Sequence, residues 1–208
     1  MTTTDTILAV EDFLRQGGSV CPFARRSRRI YATVGDQPTL DRSAILRAVP
    51  LFAATQNASP NGAMLVLGPS NKDFDQTRTW ALEVFLELMT CFTITAPGTG
   101  AFTGPRYEAE LTAAINRAIR PALFDDASPI RPVLACRGAP LFAICLAPVY
   151  PRTHPRYAPA PVVVVTWQAD VGAVHDDPTT AHIRAAMKRE HGSVYDADAI
   201  VLPLPVGR

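Results

Sequence analysis

A proline-rich loop, Tyr150–Pro159, surrounds a single histidine and limits the conformations open to this part of the chain. The loop contains three prolines, each of which fixes its own backbone φ angle: Pro151, Pro155 and Pro159. Apolar runs precede and follow the loop, at Leu141–Val149 and at Val162–Trp167. A stiff loop between two strand-like runs holds its side chains in place, so His154 is a candidate functional residue. The alternative is a proline-stiffened surface connector whose histidine is solvated.

The order of periodic segments predicts an α+β fold. Pro161–Gln168 is rich in β-branched residues, and its consecutive apolar positions predict a central strand buried on both faces. Further strands are predicted at Ile30–Val34, Ala63–Leu67, Val133–Cys136, Leu141–Leu146 and Ile200–Leu204. Helices are predicted at Thr6–Gln16, Ser43–Ala54, Asp73–Thr93, Tyr107–Leu123 and Asp176–Glu190. Without a repeat or a convincing linker, we predict one domain over residues 1–208, a mixed β-sheet covered by several α-helices.

Two of the predicted helices carry more detailed expectations. In Ser43–Ala54, capped by Thr39 or Asp41, the proline at position 50 removes a backbone donor and predicts a break or kink. In Tyr107–Leu123, helical spacing predicts one inward face, made of Leu111, Ala114, Ile115, Ala118 and Ile119.

Charge and targeting signals narrow the classes of function. Lys and Arg number 20 against 19 Asp and Glu, so the net charge is +1. This balance argues against binding nucleic acid or a membrane surface by bulk electrostatics. We find no signal peptide at Met1–Thr6 and no apolar span near the roughly 20 residues that cross a bilayer. These features predict a cytoplasmic protein with reduced cysteines and no membrane partner.

Cys21 is the cysteine with the most specific setting. It is followed by Pro22 and Phe23 and then by a basic run, Arg25–Arg29. A positive environment lowers the pKa of a thiol and favours the thiolate, which serves as a nucleophile or an iron ligand. The alternative is a small buried residue in an apolar turn. The remaining cysteines lie in apolar segments and are predicted to be core residues: Cys91, Cys136 and Cys145.

The basic run and the other histidines give weaker signals. Arg25, Arg26, Arg28 and Arg29 form either a solvated turn or a site for carboxylate or phosphate groups. His175 precedes two aspartates that suit a helix N-terminus better than a metal site. The chain has no HExxH motif, no CxxC pair and no pair of histidines at helical i, i+4 spacing. A histidine-rich or cysteine-rich metal site is therefore weakly supported.

Two segments together resemble the YqcI/YcgG-like proteins. Val20-Cys21-Pro22-Phe23-Ala24, followed by a basic stretch and a strand, is similar to an N-terminal motif of that family. Thr153-His154-Pro155-Arg156-Tyr157-Ala158-Pro159, before an apolar strand, is similar to a downstream loop of the same family. The resemblance covers these two motifs and their order, with a weaker similarity from Ile183 to Tyr195.

The resemblance implies a haem b protein that hydroxylates a small amino-acid-derived substrate in specialised metabolism. His154 is then the expected axial ligand of the iron, with Cys21 as a competing thiolate ligand or a structural residue. Arg152, Arg156 or the Arg25–Arg29 run, which includes Arg25 and Arg26, would pair with the two propionates, and Phe23 would contact the haem. Cys21, Arg156 and Tyr157 are the expected catalytic residues.

Two other classes of function remain open on the sequence. One is a cofactor-free domain that holds a small anion through the arginine run. The other is a cysteine-dependent enzyme that uses Cys21, which would need a histidine nearby as its base. All three hypotheses share a small-molecule ligand, and the many apolar residues leave room for a homodimer.

Overall fold

The structure, a computed structural model, describes residues 3–15, 27–33, 41–58, 62–69, 73–95, 104–125, 127–128, 132–154, 156–167, 185, 189, 200 and 202. The helices are α1 (Thr3–Arg15), α2 (Arg42–Ala53), α3 (Phe74–Ile94), α4 (Pro105–Ala118) and α5 (Arg120–Phe124). The strands are β1 (Arg28–Thr33), β2 (Gly62–Leu67), β3 (Ala135–Cys136), β4 (Ala139–Leu146) and β5 (Val162–Trp167).

The strands form one mixed sheet in the order β1-β2-β5-β4-β3. β1 and β2 are parallel, and the other neighbours are antiparallel. This arrangement confirms the predicted α+β fold. β5 lies between β2 and β4 with every residue buried, which confirms the predicted central strand. Its β-branched side chains suit a pleated surface that is packed on both sides.

Helices cover both faces of the sheet. Alternate residues of β2 and β5, such as Met64 and Val165, share a core cluster with α2 and α3. The residues between them, such as Leu65 and Val164, pack with Val10 of α1 on the other face. Each fully buried aliphatic side chain contributes about 1.5–3 kcal/mol of transfer free energy. This burial holds the three layers together.

Aspartates begin two of these helices. The Asp41 carboxylate accepts a hydrogen bond from the backbone N–H of Ala44 at 3.1 Å, and Asp73 accepts one from Gln76 at 2.8 Å. Each carboxylate pairs a backbone donor that has no partner inside the helix. The predicted cap at Asp41 is therefore confirmed, while Thr39 lies outside the described residues.

The helix predictions need two corrections. α2 continues through Pro50 to Ala53, so the predicted break is wrong, while a kink at Pro50 stays a prediction. The proline removes one donor only a turn from the end, and Val49 and Phe52 remain buried. The predicted helix Tyr107–Leu123 is instead two helices that meet at Ile119. None of the residues of α4 is fully buried, and Ala114 and Ala118 are exposed, so the predicted inward face was too wide.

The remaining predictions concern the second half of the chain. β3 and β4 form the predicted antiparallel pair, and positive φ angles at Arg137 (51°) and Gly138 (79°) make the tight turn between them. The predicted helix Asp176–Glu190 lies outside the described residues apart from Ala185 and Arg189, which are helical. Of the predicted strand Ile200–Leu204, the structure describes Ile200 and Leu202, and neither is in a strand. Among the described helices, none is long and apolar enough to span a bilayer.

Candidate functional site

The histidine loop leaves β4 and returns to β5 as a closed unit. At its base, the N–H of Ala147 donates to the carbonyl of Arg156 at 2.9 Å, and the N–H of Ala158 donates to the carbonyl of Ala147 at 3.4 Å. These bonds satisfy backbone groups just beyond the end of the sheet. They hold the loop in a fixed position where β4 ends and β5 begins.

His154 stands at the corner of two successive turns within this loop. Its N–H donates to the carbonyl of Pro151 at 2.8 Å, and its own carbonyl accepts the N–H of Tyr157 at 2.9 Å. The side chain is only 4% exposed, although Arg152 two residues earlier is exposed. The alternative prediction, a solvated histidine in a surface connector, is therefore wrong.

The imidazole ring of His154 is fixed on both a face and an edge. The ring stacks on that of Tyr150, with centroids 4.6 Å apart and planes 10° from parallel. Nδ1 accepts a hydrogen bond from the backbone N–H of Arg156 at 3.0 Å. In a neutral imidazole one nitrogen accepts and the other carries the proton. The proton of neutral His154 is therefore on Nε2.

This tautomer bears directly on the expected role of His154 as a haem ligand. Iron binds the lone pair of a ring nitrogen, and Nδ1 already uses its lone pair for the N–H of Arg156. Ligation through Nε2 would require the proton to move to Nδ1 and the hydrogen bond to Arg156 to break. In this hydrogen-bonded state, His154 does not fit an axial ligand.

The two side chains beside His154 hold a segment close to the C-terminus. The hydroxyl of Tyr150 accepts the backbone N–H of Ile200 at 2.7 Å. The guanidinium of Arg156 donates to the carbonyl of Ile200, also at 2.7 Å. Ile200 is fully buried. Arg156, expected from the sequence to be catalytic or to pair with a propionate, is therefore engaged with the protein backbone.

Tyr157, the other expected catalytic residue of the loop, packs against the first helix. Its ring meets that of Phe13 edge to face, with centroids 5.4 Å apart. Aromatic pairs of this geometry contribute about 0.5–1.5 kcal/mol beyond their buried area. This contact ties the loop to α1.

The first turns of α3 lie next to the loop and carry unpaired polar atoms. Phe74 meets Tyr150 edge to face, with centroids 6.3 Å apart. One and two turns further along the helix, Thr77 Oγ1 and Trp80 Nε1 are buried and have no hydrogen-bond partner among the residues that the structure describes. Such atoms are rare in native proteins and commonly mark the place of a water molecule or ligand. Both are able to donate, so they suit an oxygen acceptor.

The carboxylate of Glu11, on α1, contacts two residues of β1 that no sequence pattern connects with it. The carboxylate of Glu11 accepts a hydrogen bond from the Tyr31 hydroxyl at 2.5 Å and lies 3.0 Å from Nε of Arg29. We call these three residues the Glu11 cluster. Burial and the neighbouring Glu11 raise the pKa of Tyr31, so the phenol stays protonated.

The predicted site residues are thus only partly brought together. The structure places His154, Arg156 and Tyr157 in one loop and leaves Arg152 exposed. Of the arginine run, Arg29 belongs to the Glu11 cluster and Arg28 is exposed. The other expected site residues, Cys21, Phe23, Arg25 and Arg26, lie outside the described residues. In the part of the chain that the structure describes, no cluster of three or more His, Cys, Asp or Glu residues is placed to hold a metal ion.

The other three cysteines are confirmed as core residues, since Cys91, Cys136 and Cys145 are all buried. Desolvation raises the pKa of each thiol, for Cys145 to about 12. They therefore remain protonated and poorly nucleophilic at neutral pH.

We expect native protein treated with iodoacetamide at pH 8 to leave Cys91, Cys136 and Cys145 unmodified, because their thiols are buried and protonated. All three should react after unfolding in denaturant. Mass spectrometry of tryptic peptides measures both states, and the unfolded sample is the control. Rapid native labelling of Cys145 would contradict the packing described for β4.

Comparison of the chain with protein-family models, with curated proteins and with solved structures finds no match.

Proposed function

We propose that this protein is a haem-dependent oxygenase that hydroxylates a small amino-acid-derived substrate. The resemblance of the Cys21 segment and the His154 loop to YqcI/YcgG-like proteins supports the proposal. When bound, haem supplies the chemistry of dioxygen activation that such a reaction needs. The protein contributes binding, orientation and the exclusion of water.

The observation that best supports a small-molecule site is the pair of unpaired donors on α3. Thr77 Oγ1 and Trp80 Nε1 are buried, and they lie within two turns of Phe74, whose ring contacts Tyr150. Leaving a buried polar group unpaired costs about 1–3 kcal/mol. A ligand with a carbonyl or carboxylate oxygen beside either group would remove that cost for that group.

The proposal assigns different roles to the predicted site residues. Arg152 is exposed and suits a charge-assisted hydrogen bond to a propionate. Because Nδ1 of His154 accepts the N–H of Arg156, a donor other than His154 would bind the iron. Cys21, beside the arginine run, is the ligand that the sequence offers in its place.

Titration of the purified protein with hemin tests this proposal. We expect a saturable Soret band that differs from that of free hemin. The spectrum of the reduced CO complex should be typical of the protein residue that binds the iron. Cys21→Ser should weaken or shift the band, while Cys136→Ser, at a buried core position, should not change it. A spectrum that stays identical to free hemin at every ratio would exclude the haem proposal.

A cofactor-free anion-binding domain is the second candidate. The exposed guanidinium of Arg28 supports it, because it continues the basic run at the start of β1. This function predicts no chromophore and an increase in Tm with organic anions. The increase should disappear in Arg28→Ala. A cysteine-dependent enzyme would likewise be colourless, but it would be inactivated by selective alkylation of Cys21.

We also propose that the protein acts in the cytoplasm on a small molecule, without a nucleic-acid partner. The described cysteines are unpaired, which suits a reducing compartment. Its net charge of +1 supports the absence of a nucleic-acid partner. A homodimer remains part of the proposal, and sedimentation of the purified protein measures it.

A further inference from the structure

We infer that His154 is a positioning residue, which holds Arg156 in place and so docks the C-terminal segment at Ile200 onto the loop. The role assigned to it is hydrogen-bond acceptance through Nδ1, in place of iron ligation. The inference does not depend on haem binding, because every contact that carries it lies within the protein.

The contacts form a closed circuit of four residues. The ring of His154 stacks on Tyr150, and its Nδ1 accepts the N–H of Arg156. The guanidinium of Arg156 donates to the carbonyl of Ile200, whose N–H donates in turn to the hydroxyl of Tyr150. Both backbone groups of one buried residue are therefore paired by the loop. Because both partners of Ile200 contact His154, loss of the imidazole disturbs both ends of the dock.

The bond to Arg156 also explains why an acceptor is needed at position 154. A side chain that accepts the N–H two residues ahead closes the same ring as an Asx-turn, which Asn and Asp commonly form. This bond orients the backbone of Arg156, whose carbonyl is already held by Ala147 at 2.9 Å. With the N–H and the carbonyl both fixed, the side chain of Arg156 leaves the loop in a defined direction, toward Ile200.

A pair of substitutions separates this role from iron ligation. His154→Asn retains an acceptor for the N–H of Arg156 but offers no imidazole, while His154→Leu, with the same number of side-chain heavy atoms and the same branching as Asn, removes the acceptor. We expect amide hydrogen exchange at Ile200 to speed up by about tenfold or more in His154→Leu, from loss of about one or two hydrogen bonds. His154→Asn should exchange much closer to the wild-type rate. Arg152→Ala, an exposed neighbour in the loop, serves as the control and should leave exchange unchanged.

A second variant keeps the test decisive if His154→Leu does not fold. Tyr150→Phe keeps the ring that stacks on His154 and removes only the oxygen that accepts the N–H of Ile200. We expect faster exchange at Ile200 with unchanged exchange at Val164 in the central strand. Equal loss of protection in His154→Asn and His154→Leu would overturn the inference. So would wild-type protection of Ile200 in Tyr150→Phe, or in a folded His154→Leu variant.

Discussion

Phe52→Ala should lower the free energy of unfolding by about 3–5 kcal/mol, the typical cost of removing a buried phenylalanine. Phe52 is completely buried in α2, and its ring lies parallel to that of Trp167, with centroids 4.8 Å apart and planes 2° from parallel. The ring of Phe92 from α3 is also near, at 5.9 Å. The substitution therefore opens a cavity where two helices meet the central strand.

The neighbouring residue provides a matched control for this prediction. Leu51 lies in the same helix and is 62% exposed, so Leu51→Ala should change stability by no more than about 0.5 kcal/mol. Urea denaturation followed by circular dichroism measures both variants, and the slope should be unchanged if only stability is altered. A similar loss in both variants would show that α2 does not pack with the face assigned to it.

Glu11→Ala should destabilise the protein by about 1–3 kcal/mol, because it removes the carboxylate of a partly buried ion pair and leaves its partners uncompensated. The side chains of Glu11 and Arg29 are only 17% and 14% exposed. The hydroxyl of Tyr31 loses its acceptor in the same variant. The pKa of Tyr31 should fall toward its ordinary value, because Glu11 contributes to raising it. Ultraviolet titration of the tyrosines follows that change.

An exposed glutamate in an ion pair controls for the loss of charge alone. Glu110 pairs with Arg106 on the surface of α4, and the two side chains are 65% and 93% exposed. Pairs of this kind contribute about 0–1 kcal/mol, so Glu110→Ala should have little effect. Thermal denaturation at low salt compares the two variants. Equal shifts in Tm for Glu11→Ala and Glu110→Ala would contradict a structural role for the Glu11 cluster.

Local sequence patterns were sufficient to predict the main elements of the fold. The consecutive apolar residues of β5 predicted a central strand, and the structure confirms it. Asp73 and the apolar periodicity after it predicted α3 almost to its ends. Such predictions depend on neighbours within a few residues, for which propensity and periodicity are informative.

The predictions that failed depended on packing over longer distances. A proline predicts a break from its own geometry, but the buried residues on either side of Pro50 hold α2 together. Apolar spacing in α4 does not reveal that Ala114 and Ala118 are exposed, because that depends on how the helix packs against its neighbours α3 and α5. The helical periodicity of apolar residues identifies a face that could be buried. The neighbouring elements of the tertiary structure determine how much of that face is buried.

The candidate site was predictable only in part for the same reason. The sequence identified the His154 loop as rigid, and the prolines and tyrosines around it were visible signals. It gave no signal for the hydrogen bonds between Arg156, Tyr150 and Ile200, whose residues are separated by 44 and 50 positions. Nor could it show which nitrogen of His154 accepts a hydrogen bond, since that depends on the backbone N–H of Arg156.

The hydrogen bonds around His154 change how the resemblance is understood. The resemblance alone implies that His154 is an iron ligand. In the structure, its Nδ1 instead accepts a hydrogen bond from the backbone N–H of Arg156. The haem proposal therefore predicts that binding does not depend on the imidazole. This prediction distinguishes the haem proposal from a hypothesis in which His154 binds the iron because its loop resembles the family motif.

The absorption spectra of wild-type protein and of His154→Asn, each titrated with hemin, show whether the protein binds haem and whether the imidazole is its ligand. We predict a saturable Soret band in both proteins, with dissociation constants that agree within about threefold, a difference of roughly 0.7 kcal/mol. A Soret band in the wild type that is lost in a folded His154→Asn variant would show that the imidazole binds the iron. If both spectra stayed identical to that of free hemin at every ratio, haem binding itself would be contradicted.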